Sequence, residues 1–311
     1  MIQKTFRCFT HFALVIGAMT LMSAAAFAQY PIGQSSIGDM KPGSVLFYSR
    51  YSSNPVNPAM GDTQINITNV NQSAGTSVHL FLVDGATCSI ADSFVGLTPN
   101  QTASFLVSDF DPGITGYIVA VATGGGGPTQ FNSLIGSEFI RENDGTTAYL
   151  QAMTVAKRSA GDVIPDAEGQ THLVFNGVDY EQLPSALAVA TFNSQTLDSN
   201  SLSIFSPSNN LTIGGVVSTS IFTLLYNDAE VAISSSFTVS CYRFQSFTSL
   251  FNRGGGINRH VPSGRTGWIR MTASGRPILG SVFGKGPVFV GGHNLHAIAL
   301  LGSYSITVPS F

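Results

Sequence analysis

Charge is what this sequence has least of. Only 10% of its 311 residues are Asp, Glu, Lys or Arg, against about a quarter in an average soluble chain. After Glu230 there is no acidic residue at all, so neither a carboxylate pair for glycoside hydrolysis nor an acidic metal ligand can come from beyond it. Nucleophile and phosphate motifs are missing as well. Gly280-Ser281-Val282-Phe283-Gly284 has the wrong spacing for a nucleophile elbow. Neither glycine-rich loop, Gly124 to Gly127 or Gly254 to Gly256, runs on into Gly-Lys-Ser/Thr. Beyond the first residues no apolar run approaches the ~20 residues of a membrane helix, and no long amphipathic helix is written into the chain. These absences argue against an enzyme and imply no cofactor.

The one long apolar run lies at the start. Lys4 and Arg7 precede Phe12 to Met22, and Ala26-Phe27-Ala28 precedes Gln29. This is the charged, apolar and small-x-small order of a secretory signal over residues 1–28. The expectation is a secreted protein, periplasmic, cell-surface or extracellular, with no membrane span after cleavage. Cys8 leaves with the signal, and an oxidising compartment would allow the remaining Cys88 and Cys241 to pair. Two buried free thiols are the alternative.

What is present is said twice. Leu134-Ile135-Gly136-Ser137-Glu138-Phe139 returns as Ile278-Leu279-Gly280-Ser281-Val282-Phe283, and Gly113-Ile114-Thr115-Gly116-Tyr117-Ile118 as Gly264-Arg265-Thr266-Gly267-Trp268-Ile269. Phe81 to Phe94 lies over Leu224 to Phe237 without a gap, identical at five of fourteen positions. The three matches keep one order, as a tandem duplication would leave them. Cys88 aligns with Val231 and Cys241 with Thr98, so a bridge between the cysteines would join the two copies.

Short β-rich runs fill both copies. Ile65 and Ile67 alternate with Asn66 and Thr68, as in a half-buried strand, whereas Tyr117 to Ala122 is apolar throughout, as in a strand buried on both faces. Asp84-Gly85, Thr98-Pro99-Asn100 and Asp111-Pro112-Gly113 supply turns. The pattern predicts an all-β chain of two tandem, homologous, antiparallel β-sandwich (immunoglobulin-like) domains. Residues 29–40 form an N-terminal lead, 41–158 the first domain, 159–169 a linker and 170–311 the second. In the repeated G-x-T-G-aromatic-Ile element, the glycines allow a tight lead-in to a strand. The aromatic residue is then expected to plug the end of the core.

Candidate chemistry is sparse. His293 and His296 would point to opposite faces of a strand, and no third ligand is in view for zinc. His79 and His172 sit in apolar runs and read as structural. Asp109 and Asp111 lack calcium-loop spacing. The clearest functional signal is basic. Residues 231–311 hold seven Arg or Lys and no acid, a net +7, while residues 29–230 set five basic groups against seventeen acids, a net −12. Arg253, Arg259, Arg265, Arg270 and Arg276 are the candidate contact residues. An exported protein would turn them toward acidic envelope polysaccharide rather than nucleic acid, or toward the acidic half of a second copy, head to tail. The alternative is a face merely solvated by arginines. The leading expectation is therefore a non-enzymatic structural or adhesive protein. A tandem carbohydrate-binding module, with Tyr48, Tyr51, Tyr242 or Trp268 stacking on sugars, is the runner-up. A secreted hydrolase or an outer-membrane barrel is more distant.

Thr98-Pro99-Asn100-Gln101-Thr102-Ala103-Ser104-Phe105, Asp109-Phe110-Asp111-Pro112-Gly113 and Gly292-His293-Asn294-Leu295-His296 resemble segments of an uncharacterised group of exported bacterial β-rich proteins. The resemblance implies export and a β-rich build, and it brings no activity and no site residues.

Overall fold

Apolar and hydroxyl side chains alternate along Thr102–Leu106, Ser201–Phe205 and Ser305–Pro309, while other strands are apolar on both faces. The computed structural model describes residues 36–54, 56–57, 59–143, 145, 147–193, 200–251, 256–285 and 290–309. The first sandwich contains β1 (Val45–Ser52), β2 (Asp62–Asn69), β3 (Thr76–Asp84), β4 (Ile90–Leu97), β5 (Thr102–Leu106), β6 (Thr115–Gly124), β7 (Gly127–Pro128), β8 (Leu134–Arg141), β9 (Thr147–Gln151) and β10 (Met153–Val155). Its large sheet has the order β10-β1-β6-β3-β4, with β7 folded back on β6, and its small sheet has the order β5-β2-β8-β9.

A ribbon of β11 (Gln170–Val174) and β21 (Ser305–Pro309) follows in space. The second sandwich contains β12 (Pro184–Asn193), β13 (Ser201–Phe205), β14 (Ser218–Asn227), β15 (Ala232–Ser240), β16 (Tyr242–Ser246), β17 (Thr266–Ala273), β18 (Leu279–Lys285), β19 (Val290–Asn294) and β20 (His296–Leu300). Single-turn helices α1 (Phe247–Leu250) and α2 (Gly256–His260) link β16 to β17.

The second sandwich has the strand orders of the first. Its large sheet runs β20-β12-β17-β14-β15 and its small sheet β16-β13-β18-β19. Registers agree as well: Phe47 faces Val119 where Ala188 faces Arg270, and the ladder slips between Tyr48 and Tyr51 as it does between Val189 and Phe192. All these pairings are antiparallel, and the sheets stay open rather than closing into a barrel. That removes the barrel alternative. The neighbours β2–β5, β3–β6 and β3–β4 match the B–E, C–F and C–C′ pairs of an immunoglobulin sandwich. The terminal strands differ, with β1 beside β6 and β8 beside β2.

Three cores separate the sheets. Leu46, Tyr48, Ile65, Ile67, Leu80 and Ile118 fill the first sandwich. Leu187, Val189, Leu202, Ile204, Ile221 and Ile269 fill the second. A middle core joins them. The outer side chains of the first large sheet (Phe47, Phe81, Val83, Tyr117, Val119, Val121) pack with Phe205 and Leu279 of the second small sheet. Leu173, Phe175, Ile306 and Val308 of the ribbon and its flank complete it. This is why Tyr117 to Ala122 is apolar at every position: β6 has a core on each face. Each such side chain contributes about 1.5–3 kcal/mol on full burial. Residues 159–169 pass beside this layer, where Val163 packs on the middle core and donates its N–H to Pro128.

The repeated glycines have separate jobs. Gly113 and Gly264 sit at φ 86° and 81°, a region that side chains disfavour. Gly116 and Gly267 lie so close to the carbonyls of Val83 and Tyr226 that a Cβ would collide.

Candidate functional site

Arg265, Arg270 and Arg276 do not gather into one patch. Arg253 lies outside the described residues. Arg259 is exposed on α2. Arg265 pairs with Asp228 at 2.9 Å, just before β17. Arg276 follows β17, where it donates to the Tyr304 hydroxyl at 3.0 Å while that hydroxyl donates to Pro207. Arg265 and Arg276 thus bracket a strand of eight residues, about 26 Å at ~3.3 Å per residue. Arg270 alone stands mid-strand, on the outer face of the second large sheet.

That face is aromatic. On β14 the odd positions Ile221 and Leu225 enter the core, so Phe222, Leu224 and Tyr226 point outward. On β17 Ile269 and Met271 enter, leaving Trp268, Arg270 and Thr272 outside. The ladder sets Phe222 against Thr272, Leu224 against Arg270 and Tyr226 against Trp268. Tyr226 and Trp268 stack with centroids 4.4 Å apart and planes 6° from parallel. Phe222 is 47% exposed and Trp268 37%. A shallow groove of about 530 Å³ runs between Phe222, Leu224 and Arg270, and its lining contains neither carboxylate nor histidine. The flanking strand β15 adds the exposed hydroxyls of Ser234, Ser236 and Thr238. Such a face can stack, exclude water and donate from one guanidinium. It holds no nucleophile–base pair.

The candidate sugar-stacking tyrosines lie elsewhere. Tyr48 and Tyr51 are fully buried, so neither can meet a sugar, because the core of the first sandwich claims both rings. The Tyr242 hydroxyl accepts from Arg50 at 2.6 Å and lies 3.2 Å from Ser203 Oγ. Of the two aromatics in the repeated element, Tyr117 is buried and stacks on Phe205 at 4.2 Å. Trp268 fails the expectation of a core plug, since nothing among the described residues covers its sheet face.

The two sandwiches meet through polar groups as well as the middle core. Ser49 Oγ donates to Glu138 Oε1 at 3.0 Å and lies 2.7 Å from Ser281 Oγ, while Ser203 Oγ donates to the Ser49 carbonyl at 2.8 Å. Arg50 donates to Glu142 at 2.7 Å and packs its guanidinium 3.7 Å from the centre of the Phe244 ring. Glu138 is fully buried, and burial pushes its pKa up to about 8, with the Ser49 hydrogen bond pulling back. Its Oε2 has no hydrogen-bond partner among the described residues. Cys88 and Cys241, both at φ 61°, are joined as a disulfide with Cα atoms 5.9 Å apart. That bond too spans the sandwiches.

The histidines occupy structural settings. His79 is buried between Phe81 and Phe94, with Asp92 at 2.9 Å, and burial lowers its pKa. His172 lies 3.0 Å from Asp166. His293 and His296 flank a strand break at Leu295, and burial followed by the charge of His296 lowers the His293 pKa. Among the described residues no cluster of three or more His, Cys, Asp or Glu could hold a metal ion. No helix there is long and apolar enough to cross a membrane.

No family model matches the chain, and no curated protein does. Among solved structures it aligns with a chain of the naturally occurring empty particles, the top component, of Cowpea mosaic virus. The identity is 9%, and 91% of this chain and 94% of that one are covered at a TM-score of 0.18. A superposition that loose carries no argument.

Proposed function

We propose that this chain is an exported, non-enzymatic structural or adhesive protein of the cell surface or extracellular space, descended from a tandem duplication. Its contact surface is the outer face of the second large sheet, around Trp268 and Arg270. The observation that carries this reading is the unequal fate of two equivalent sheet faces: the first is sealed in the middle core, and the second leaves Phe222 and Trp268 exposed. Large aromatic residues left on a sheet are far more informative than scattered exposed aliphatics. Export is supported by the signal pattern of residues 1–28 and agrees with a disulfide between the sandwiches. The experiment is retention of the purified protein on envelopes of the source cells. Trp268→Ala and Arg270→Ala should each reduce retention severalfold, and equal retention of both variants would end this assignment.

A second reading is supported by the stacked pair Tyr226 and Trp268. Parallel exposed rings beside a guanidinium suit the apolar face of a sugar and its hydroxyls. Saturable affinity for one glycan, insensitive to salt and lost in Trp268→Ala, would favour it.

A further inference from the structure

We infer that the occupant of this face is a second copy of the chain, whose first small sheet lies on it as the second small sheet lies on the first large sheet within one chain. The inference rests on the reading of this face as a contact surface and names its partner. The internal packing is the template. Tyr117 and Val83 of the first large sheet share the middle core with Phe205 and Tyr242 of the second small sheet. Register fixes the equivalents. Tyr117 corresponds to Trp268 and Val83 to Tyr226, since each pair of residues faces the other across the same two strands. On the small sheets, Thr68 pairs with Ile135 where Phe205 pairs with Leu279, and Thr102 pairs with Thr68 where Tyr242 pairs with Phe205.

Around Trp268 and the strands that would lie over it, side-chain size changes in opposite senses on the two faces. In the unoccupied large sheet Trp268 replaces Tyr117, Tyr226 replaces Val83 and Arg270 replaces Val119, so this stretch is bulkier than its covered counterpart, while Ala188 and Leu224 stand for Phe47 and Phe81 and leave room beside it. The first small sheet has Thr68 for Phe205, Thr102 for Tyr242 and Ser104 for Phe244, so it is slimmer. Bulk against slim keeps the spacing that packed sheets need. Polarity follows the same logic. Arg270 stands where Val119 is buried, and a guanidinium there requires acceptors, which the hydroxyl oxygens of Thr68 and Ser104 supply on the opposite face. The small sheet also leaves apolar surface uncovered: Phe139 and its cross-strand neighbour Tyr149 are 41% and 54% exposed. The two faces are different surfaces, so the contact is heterologous. Each added copy presents the same free face again, so growth runs past a dimer, to a ring or a filament.

The test uses the full chain, exported so that Cys88 and Cys241 pair. Light scattering should give a mass that climbs through successive multiples as concentration rises. Phe222→Ser on one face and Phe139→Ser on the other should each weaken association by about tenfold or more, a factor of ten being the loss of one well-packed contact. Both positions are exposed, so unfolding midpoints should hold. In a second arm, Thr68→Cys and Trp268→Cys are made separately and mixed under mild oxidation. A covalent heterodimer should form in that mixture and not when Trp268→Cys is mixed with Val178→Cys. A constant monomer mass with no cross-link above that control would overturn the inference. Envelope retention lost in Arg270→Ala would then still uphold the contact-surface reading, and glycan affinity in the same monomer would transfer the face to a sugar. Association unaffected by either serine substitution would overturn the face assignment.

Discussion

Tyr117 and Trp268 hold the same place in two sheets of identical strand order, and one is fully buried while the other is 37% exposed. The difference comes from what lies above each. Phe205 stacks on Tyr117 at 4.2 Å, and the Tyr117 hydroxyl accepts the Ser208 N–H at 2.9 Å. Among the described residues the Trp268 ring stacks on its sheet neighbour Tyr226. Substitution should expose the asymmetry. Tyr117→Ala should lower the unfolding free energy by about 3–5 kcal/mol, the range for a large buried aromatic. Trp268→Ala should cost less than about 1 kcal/mol. Urea unfolding followed by circular dichroism distinguishes them, and equal losses would contradict the packing described.

Trp268 is the sole tryptophan, so intrinsic fluorescence reports directly on this face. In dilute protein the emission should be quenched readily by acrylamide. Concentrating the protein, or adding whatever covers the face, should shift the emission to the blue and protect it. A blue, unquenchable emission at high dilution would mean that the ring is already covered.

The disulfide closes a loop of 153 residues. On chain entropy alone such a closure stabilises by about 5 kcal/mol. Thiol titration of the unfolded, unreduced protein should find neither Cys88 nor Cys241 free. Replacing both by serine should lower the urea midpoint substantially without changing the far-ultraviolet spectrum. Two reactive thiols would contradict the pairing.

Glu138 gives a pH dependence of definite sign. Its folded pKa, about 8, lies above the ordinary value of 4.5. Between those values the folded chain holds a proton that the unfolded chain has released. Stability from this group is therefore full below pH 4.5, falls as pH rises toward 8, and levels off above. Glu138→Gln keeps an acceptor for Ser49 and cannot ionise. The wild type should lose more stability than Glu138→Gln between pH 5 and pH 8, measured by urea unfolding. Equal losses would mean that Glu138 is charged in the folded state throughout.

The strands were legible because side-chain period is a local signal. Ile65 and Ile67 alternate with Asn66 and Thr68, and the structure buries the first two and half-exposes the others. Tyr117 to Ala122 announced a strand with two covered faces. Ile221 to Tyr226 carries nearly the same signal, apolar at both parities, yet the described residues cover only one of its faces. Periodicity says that a face is apolar; what covers it depends on contacts far away in sequence. The arginines illustrate the same limit. Arg265, Arg270 and Arg276 look like one basic run, but a strand spaces them out, and Asp228 and Tyr304 engage the outer two. Tyr48 and Tyr51 looked like ligand platforms because an isolated tyrosine carries no mark of which side of a sheet it takes.

The middle core belongs to neither sandwich, and this has a consequence for how the gene can be cut. A fragment stopping after β10 would bare Phe47, Phe81, Tyr117 and Val119 to water at once, and one starting at β11 would bare Phe205, Leu279 and Ile306. The halves share a strand order but not independence. Neither can be inherited, expressed or inserted elsewhere without the other.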